Sequence, residues 1–251
     1  MKPFTVAVSG KGGTGKTTVC ALLIRSLIEA GQTPVLAVDA DPNANLHEAL
    51  GIVLKDTLGG MREDAFTRNI PPGMSRIEYI KYRFMQVIQE ETGFDLLSMG
   101  RPEGSGCYCF ANDLLQSCIQ ALERDYKFII IDSEAGMEHI SRGTIGIPDL
   151  LLIVSDPGAR GVRTAARIRD LAVSLGLGPV HTGLVFNRYK GESAADISGL
   201  PEPMAWIPED PAIENADLAG KPIIGIDPSS PALGIVRNLA EILMMRSMQV
   251  K

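Results

Sequence analysis

Residues 9–18 read Ser-Gly-Lys-Gly-Gly-Thr-Gly-Lys-Thr-Thr, directly after the apolar run Phe4 to Val8 and directly before the helical stretch Val19 to Ala30. The order is strand, glycine loop, helix, and Gly10, Gly15, Lys16 and Thr17 fill every fixed position of G-x-x-x-x-G-K-[ST]. A glycine loop lets consecutive backbone N–H groups converge on phosphate oxygens, and the helix that follows adds the positive end of its dipole. The stretch therefore predicts a phosphate loop made by Gly10, Gly12, Gly13, Thr14, Gly15, Lys16, Thr17 and Thr18. Lys16 is expected to reach the β and γ phosphates, and the Thr17 hydroxyl to take a Mg²⁺ position.

Such a loop belongs on a parallel sheet, and the rest of the chain supplies one. Apolar runs at Pro34 to Val38, Phe94 to Met99, Lys127 to Ile131, Asp149 to Val154, Val180 to Phe186 and Met204 to Ile207 read as strands. Helical patterns at Arg160 to Leu175 and Pro231 to Met248 separate or close them, the former with Val162, Ala166, Ile168 and Leu171 toward one side. Residues 51 to 92 are the least regular part, with one helix expected near Tyr82 to Glu91. The alternation predicts a doubly wound, mostly parallel α/β sheet with helices on both faces, its ligand site at the strands' carboxyl ends. At 251 residues and 45% apolar content, with no Ser/Gly/Pro linker or charge block, one domain spanning 1–251 is expected.

Two strands end in carboxylates. Asp39 and Asp41 follow the second strand at i and i+2, in Asp39-Ala40-Asp41-Pro42-Asn43, and Asp132 ends the run Lys127 to Ile131. Carboxylates at that end of a sheet suit a Mg²⁺-phosphate site. The net charge of −6 is spread over the chain without a basic run, which excludes a general nucleic-acid or anionic-membrane footprint and leaves small-molecule and protein partners. The opening Met1-Lys2-Pro3-Phe4 enters a strand at once, so no leader is expected and the cytoplasm is the expected compartment.

The chain has four cysteines, and two of them lie one residue apart in Gly104-Ser105-Gly106-Cys107-Tyr108-Cys109. They do not form a disulfide framework. Cys107 and Cys109 sit on a glycine-flanked loop ahead of a helix, where thiolates are favoured and partly exposed. One C-x-C supplies two ligands, whereas tetrahedral Zn²⁺ and square-planar Ni²⁺ each take four, so two copies across a symmetric dimer would complete a shell. Cys20, behind the phosphate loop, and Cys118 read as small buried hydrophobes.

Lys11, early in the loop, makes it resemble the deviant form of the MinD, ParA and nitrogenase iron protein class of dimeric ATPases. That resemblance implies that Lys11 reaches the partner's phosphates across a nucleotide-sandwich dimer. It further implies that Asp39 belongs to the magnesium shell, that Asp41 orients the attacking water, and that Gly136 hinges a second switch. Asn187, with Arg188, is expected to border the base, as is Pro208. Lys190 stands where guanine readers of related folds carry an aspartate, and a carboxylate is needed to accept from guanine N1–H and N2–H, so ATP is favoured over GTP.

Within this class the chain departs from the usual proline at Glu134. The run from Asp132 to His139, together with the Cys107–Cys109 segment, is similar to the CooC family, the nickel-insertion accessory ATPases of carbon monoxide dehydrogenase, and to their relatives that mature acetyl-CoA synthase. The resemblance implies a homodimeric ATPase that carries Ni²⁺ or Zn²⁺ on Cys107 and Cys109 to an apo-metalloenzyme client, without nucleic acid or membrane. A ParA- or MinD-like positioning ATPase and an iron-sulfur redox protein like the nitrogenase iron protein remain alternatives. With three histidines in the chain, the C-terminus offers no histidine-rich store.

Overall fold

The computed structural model describes residues 2–61, 70–101, 119, 122, 125–133, 147–178, 181–191 and 196–249. Eight strands form one sheet: β1 Phe4–Gly10, β2 Val35–Asp39, β3 Gln89–Glu91, β4 Phe94–Ser98, β5 Phe128–Asp132, β6 Leu150–Ser155, β7 Thr182–Tyr189 and β8 Pro203–Pro208. Their spatial order is β3-β4-β2-β5-β1-β6-β7-β8. Every pairing is parallel except that of β3 with β4. The interior strands are buried along nearly their whole length, as Phe-Ile-Ile-Ile-Asp of β5 and Leu-Leu-Leu-Ile-Val-Ser of β6 require, because both faces of the sheet are covered.

One face is covered by α1 (Lys16–Glu29) and a long C-terminal helix, Pro231–Gln249. The other face carries the helix Ala159–Ser174. Between them in the chain lie α2 (Leu46–Ala49), α3 (Arg76–Val87) and the short helix Pro211–Leu218, so in order the three later helices are α4 (Ala159–Ser174), α5 (Pro211–Leu218) and α6 (Pro231–Gln249). α6 buries Leu239 and Leu243 in the core shared with α1, so its apolar side is not available as an interfacial anchor. No helix among the described residues is long and apolar enough to cross a membrane.

The expected strands are all present, and two helical expectations need correction. The helix placed near Tyr82 to Glu91 runs instead from Arg76 to Val87, and Gln89–Glu91 is the antiparallel edge strand β3. The start is set by a capping box that the irregular composition obscured: Glu78 N–H donates to Ser75 Oγ at 3.3 Å and Ser75 N–H to the Glu78 carboxylate at 2.8 Å. In α4 the buried row is Val162, Ala165, Ile168 and Ala172, while Leu171 is 40% exposed. Small alanines face the sheet there and the larger leucine turns to solvent, the reverse of what size alone suggests.

Candidate nucleotide site

Parallel pairing in register brings three strand ends together. Val8 of β1 pairs with Asp132 of β5, and Asp132 pairs with Asp39 of β2, so both carboxylates lie on one row of the sheet beside the exit of the glycine loop. The loop then passes over this row. A Cβ on Gly10 would fall 2.1 Å from the Val154 carbonyl oxygen of β6, and a Cβ on Gly15 would fall 2.3 Å from Asn187 Nδ2 with φ at +85°. Only glycine fits at either position. Gly15 is the N-cap of α1 and offers no side-chain cap, and no acidic residue occupies the first turn, so the N–H groups of that turn are left for an anion.

A cleft of about 360 Å³ opens here, lined by Gly12, Gly13, Gly15, Lys16, Thr17, Asp41, Asn43, Asn45, Asp132, Ser133 and Arg188. Thr17 donates its hydroxyl to Asp132 Oδ2 at 2.6 Å. The other oxygen, Asp132 Oδ1, is buried and has no hydrogen-bond partner among the described residues. An orphaned carboxylate oxygen beside a threonine hydroxyl is a donor set suited to a hard cation such as Mg²⁺. Asp39 is fully buried behind this pair, accepting from Asp41 N–H at 3.2 Å and Leu46 N–H at 2.9 Å.

Burial, and after it the neighbouring Asp132 carboxylate, pushes Asp39 up to about 8. Asp132 rises to about 6 through burial, held lower than Asp39 by the Thr17 hydroxyl and the Lys16 ammonium. Two carboxylates stripped of water at adjacent strand ends cannot both ionise cheaply without a cation. The Cys20 thiol below them is driven up by burial and then by the charges of Asp132 and Asp39, so it is an inert core group, as its position on α1 suggests.

The remaining expected residues distribute unevenly. Lys11 is exposed and outside the cleft lining, while its carbonyl accepts the Thr14 hydroxyl at 2.9 Å. Asn187 is buried and donates Nδ2 to the Thr14 carbonyl at 2.8 Å, so one donor of its amide braces the phosphate loop from behind. Arg188, at φ +58°, lines the cleft. Pro208 ends β8 opposite Tyr189, and the next residue, Glu209, pairs with Lys190 at 3.0 Å. Thr18 lies in the first turn of α1. Cys107, Cys109, Gly136 and Cys118 lie outside the described residues; among the described ones no three His, Cys, Asp or Glu side chains gather as a metal cluster.

Asn43, Asn45 and Ser133 also line the cleft, and the sequence reading gave them no role. The signal was present for the asparagines, since Asp41-Pro42-Asn43-Ala44-Asn45 is turn-forming composition at a strand's carboxyl end. Ser133 was not distinguishable from any other loop serine; its hydroxyl in fact donates to the Val8 carbonyl at 2.6 Å and pins β5's exit to β1.

Residues 5–223 match the CobQ/CobB/MinD/ParA nucleotide binding domain family. The chain belongs to that family. Among its relatives, an uncharacterised ATP-binding protein of Methanocaldococcus jannaschii is 37% identical over 94% of this chain and 96% of its own length. The carbon monoxide dehydrogenase accessory protein CooC of Rhodospirillum rubrum is 34% identical over 89% of this chain and 90% of its own. In three dimensions it is similar to the septum site-determining protein MinD of Pyrococcus horikoshii complexed with Mg-ADP, with a TM-score of 0.70 at 27% identity and 96% of each chain covered. The fold is that of a MinD/ParA-like P-loop ATPase.

Proposed function

We propose that this chain is a CooC-like ATPase, a nucleotide-switched homodimer that binds Ni²⁺ or Zn²⁺ through Cys107 and Cys109 and assists metal insertion into an apo carbon monoxide dehydrogenase or acetyl-CoA synthase. The observation that carries the reading is the 34% identity to the Rhodospirillum rubrum accessory protein across nearly the whole of both chains. It is supported by the Gly-Ser-Gly-Cys-Tyr-Cys segment that a general MinD-like ATPase does not need.

In this reading the uncapped N–H groups of α1 and Lys16 hold the phosphates, while Arg188, Asn187 and Pro208 border the base. Thr17 and Asp132, with Asp39 behind them, would hold Mg²⁺, which when bound neutralises charge on the β and γ phosphates. Asp41, at the mouth of the cleft, orients the attacking water, and Lys11, exposed on the loop, serves the partner's phosphates across the dimer. Lys190, paired with Glu209, stands where a guanine reader needs a carboxylate, in keeping with ATP. Loss of the γ phosphate relaxes the loops on either side of the cleft, and hydrolysis times metal release.

The test is metal stoichiometry joined to size-exclusion on one sample. Two thiolates per chain complete a four-sulfur shell only by pairing two chains, so bound Ni²⁺ or Zn²⁺ should approach about one ion per two chains and should promote dimerisation. Cys107→Ala or Cys109→Ala should abolish tight metal binding with monomer ATP affinity unchanged, and Cys20→Ala should leave the metal alone. One tightly held ion per monomer, or metal binding intact in the Cys107→Ala, Cys109→Ala double variant, removes the metal-carrier reading and leaves a plain ATPase of the family.

A further inference from the structure

We propose that Arg101 is a positioning residue for ATP hydrolysis, acting through Asn43 on Asp41. The proposal rests on the reading of Asp41 as the group that orients water. Asp41 lies on the loop after β2, and a single oxygen of its carboxylate, Oδ1, accepts twice from one residue: from the Asn43 backbone N–H at 2.8 Å and from Asn43 Nδ2 at 2.9 Å. Among the described residues no such bond engages Oδ2, and Asp41 lines the cleft. The orientation of the carboxylate is thus set by the Asn43 amide.

What sets the amide is Arg101. Its guanidinium Nη2 donates to Asn43 Oδ1. An amide turned over by half a turn would present its N–H₂ to the guanidinium and its carbonyl to the carboxylate, repelled at both ends. One orientation satisfies both neighbours. Arg101 itself is well placed to act as a fixed post. The residues before it are tied to the sheet and its surroundings by Met99 N–H to the Asp39 carbonyl at 2.8 Å and Gly59 N–H to the Met99 carbonyl at 2.9 Å. Gly100 makes a left-handed turn at φ +62° so close to Thr57 that a Cβ would meet its side chain at 2.5 Å.

The loop needs such a post. Ala44 sits at φ +53°, a region that a non-glycine residue occupies at some cost and only when the surroundings hold it. Besides Ala44 N–H to the Asp41 carbonyl at 2.9 Å, this loop is tied among the described residues through the side chains of Asp39, Asp41, Asn43 and Arg101. An exposed charge contact contributes little to stability as a rule. Here its effect is on the aim of a side chain two bonds away, so it reads out in turnover. The same residue lies six positions upstream of Cys107 in the chain.

The experiment measures single-turnover hydrolysis and ATP affinity in the full-length protein for Arg101→Ala, Arg101→Lys, Asn43→Ala and the Arg101→Ala, Asn43→Ala double variant, with the dimer followed on the same samples. Arg101→Ala is expected to lower the rate about tenfold with ATP affinity changed by less than about twofold. Asn43→Ala should lower it at least as much, and the double variant no further than Asn43→Ala alone, because both act on one chain of contacts. Lysine should restore part of the rate, since one donor at that position is enough to hold Oδ1. A rate within about twofold of the unsubstituted protein, a parallel loss of ATP affinity, or multiplicative effects in the double variant would each overturn the proposal. Asp41→Asn, run alongside, separates the two failures: if it keeps full turnover the reading of Asp41 is wrong, and if it stops turnover while Arg101→Ala does nothing, only the role of Arg101 is lost.

Discussion

The wall of the cleft made by the glycine loop and Asp132, with Asp39 buried behind it, is held by the sheet, whereas the wall made by Asp41 to Asn45 is held by its own polar side chains. On the first, strand register fixes the carboxylates, and the Val154 carbonyl at Gly10 and the Asn187 amide at Gly15, each only a little over 2 Å from a would-be Cβ, fix the glycines. On the second, a turn with one left-handed alanine is kept in place by the hydrogen bonds of Asp39, Asp41, Asn43 and Arg101. A packed interior has essentially one arrangement, while a loop held by a few exchangeable bonds can have two. The phosphate site should therefore be the same with or without nucleotide, and the γ-phosphate signal should be read on the Asp41 wall.

The hardest blow to the first wall is Gly10→Ala. Its Cβ would overlap a carbonyl oxygen of the neighbouring central strand, and neither backbone can retreat without parting β1 from β6. We expect a loss of more than about 3 kcal/mol in denaturant unfolding, together with loss of ATP binding. Asn43→Ala on the other wall should stay within about 1 kcal/mol of the parent. Comparable unfolding losses for the two would dissolve the distinction.

Next in size is turnover. Asp41→Asn keeps the side-chain volume and can still meet the Asn43 backbone N–H, but removes the charge that orients water, so hydrolysis should fall about a hundredfold while ATP binding persists. The ATP-bound dimer should then accumulate on size-exclusion. A near-normal rate would move the assignment away from this loop.

The two loop lysines sharpen the comparison further, because both belong to one motif but only Lys16 lines the cleft. Lys16→Ala should weaken ATP binding about tenfold or more in the monomer. Lys11→Gln should leave monomer affinity within about twofold and slow turnover only where two chains meet. Calorimetry giving equal affinity losses for both would end the cross-dimer role of Lys11.

How much of this was legible in the sequence follows the same division. The sheet, its mostly parallel order and the phosphate loop could be read because buried strands must be continuous apolar runs and because a phosphate loop needs fixed residues at fixed spacing. Asp39 and Asp132 could be placed at the site because each ends such a run. The contribution of Asn43 and Arg101 could not, since their contact joins residues 58 positions apart and depends on the pairing of β2 with β4, which no local pattern specifies. The same holds for Asn187, whose brace on Thr14 spans 173 positions. The boundary of α3 was missed for a local reason: Ser75 and Glu78 form a readable capping box, but the mixed charges around it masked the helical period.

The last expected effect is on stability against pH in the absence of Mg²⁺ and nucleotide, and its sign is opposite to that of an ordinary carboxylate. In the unfolded chain an aspartate titrates near 4. In the folded protein burial raises Asp39 to about 8 and Asp132 to about 6, so between roughly pH 4 and those values the native state binds more protons than the unfolded one. Stability from this pair is then greatest at low pH and is lost as pH rises through 6 and 8. The groups held low, Glu29, Asp196, Asp210 and Asp227, act in the other direction but only below about pH 5, where unfolded carboxylates take up protons, so they leave the window between pH 5 and 8 to the buried pair. Thermal unfolding of the EDTA-treated protein should show Tm falling by a few degrees or more from pH 5 to pH 8, on the scale at which about 1 kcal/mol moves a domain of this size by about 2–4 °C. Asp39→Asn removes the larger share of that slope, because the amide keeps the hydrogen-bond acceptor for Leu46 N–H without a charge to bury. Added Mg²⁺ should flatten the slope as well, since a cation at the orphaned Asp132 oxygen stabilises the ionised pair. A Tm that rises across this window, or an unchanged slope in Asp39→Asn, would mean that water reaches the carboxylate row and that the sheet-held wall is less closed than its register implies.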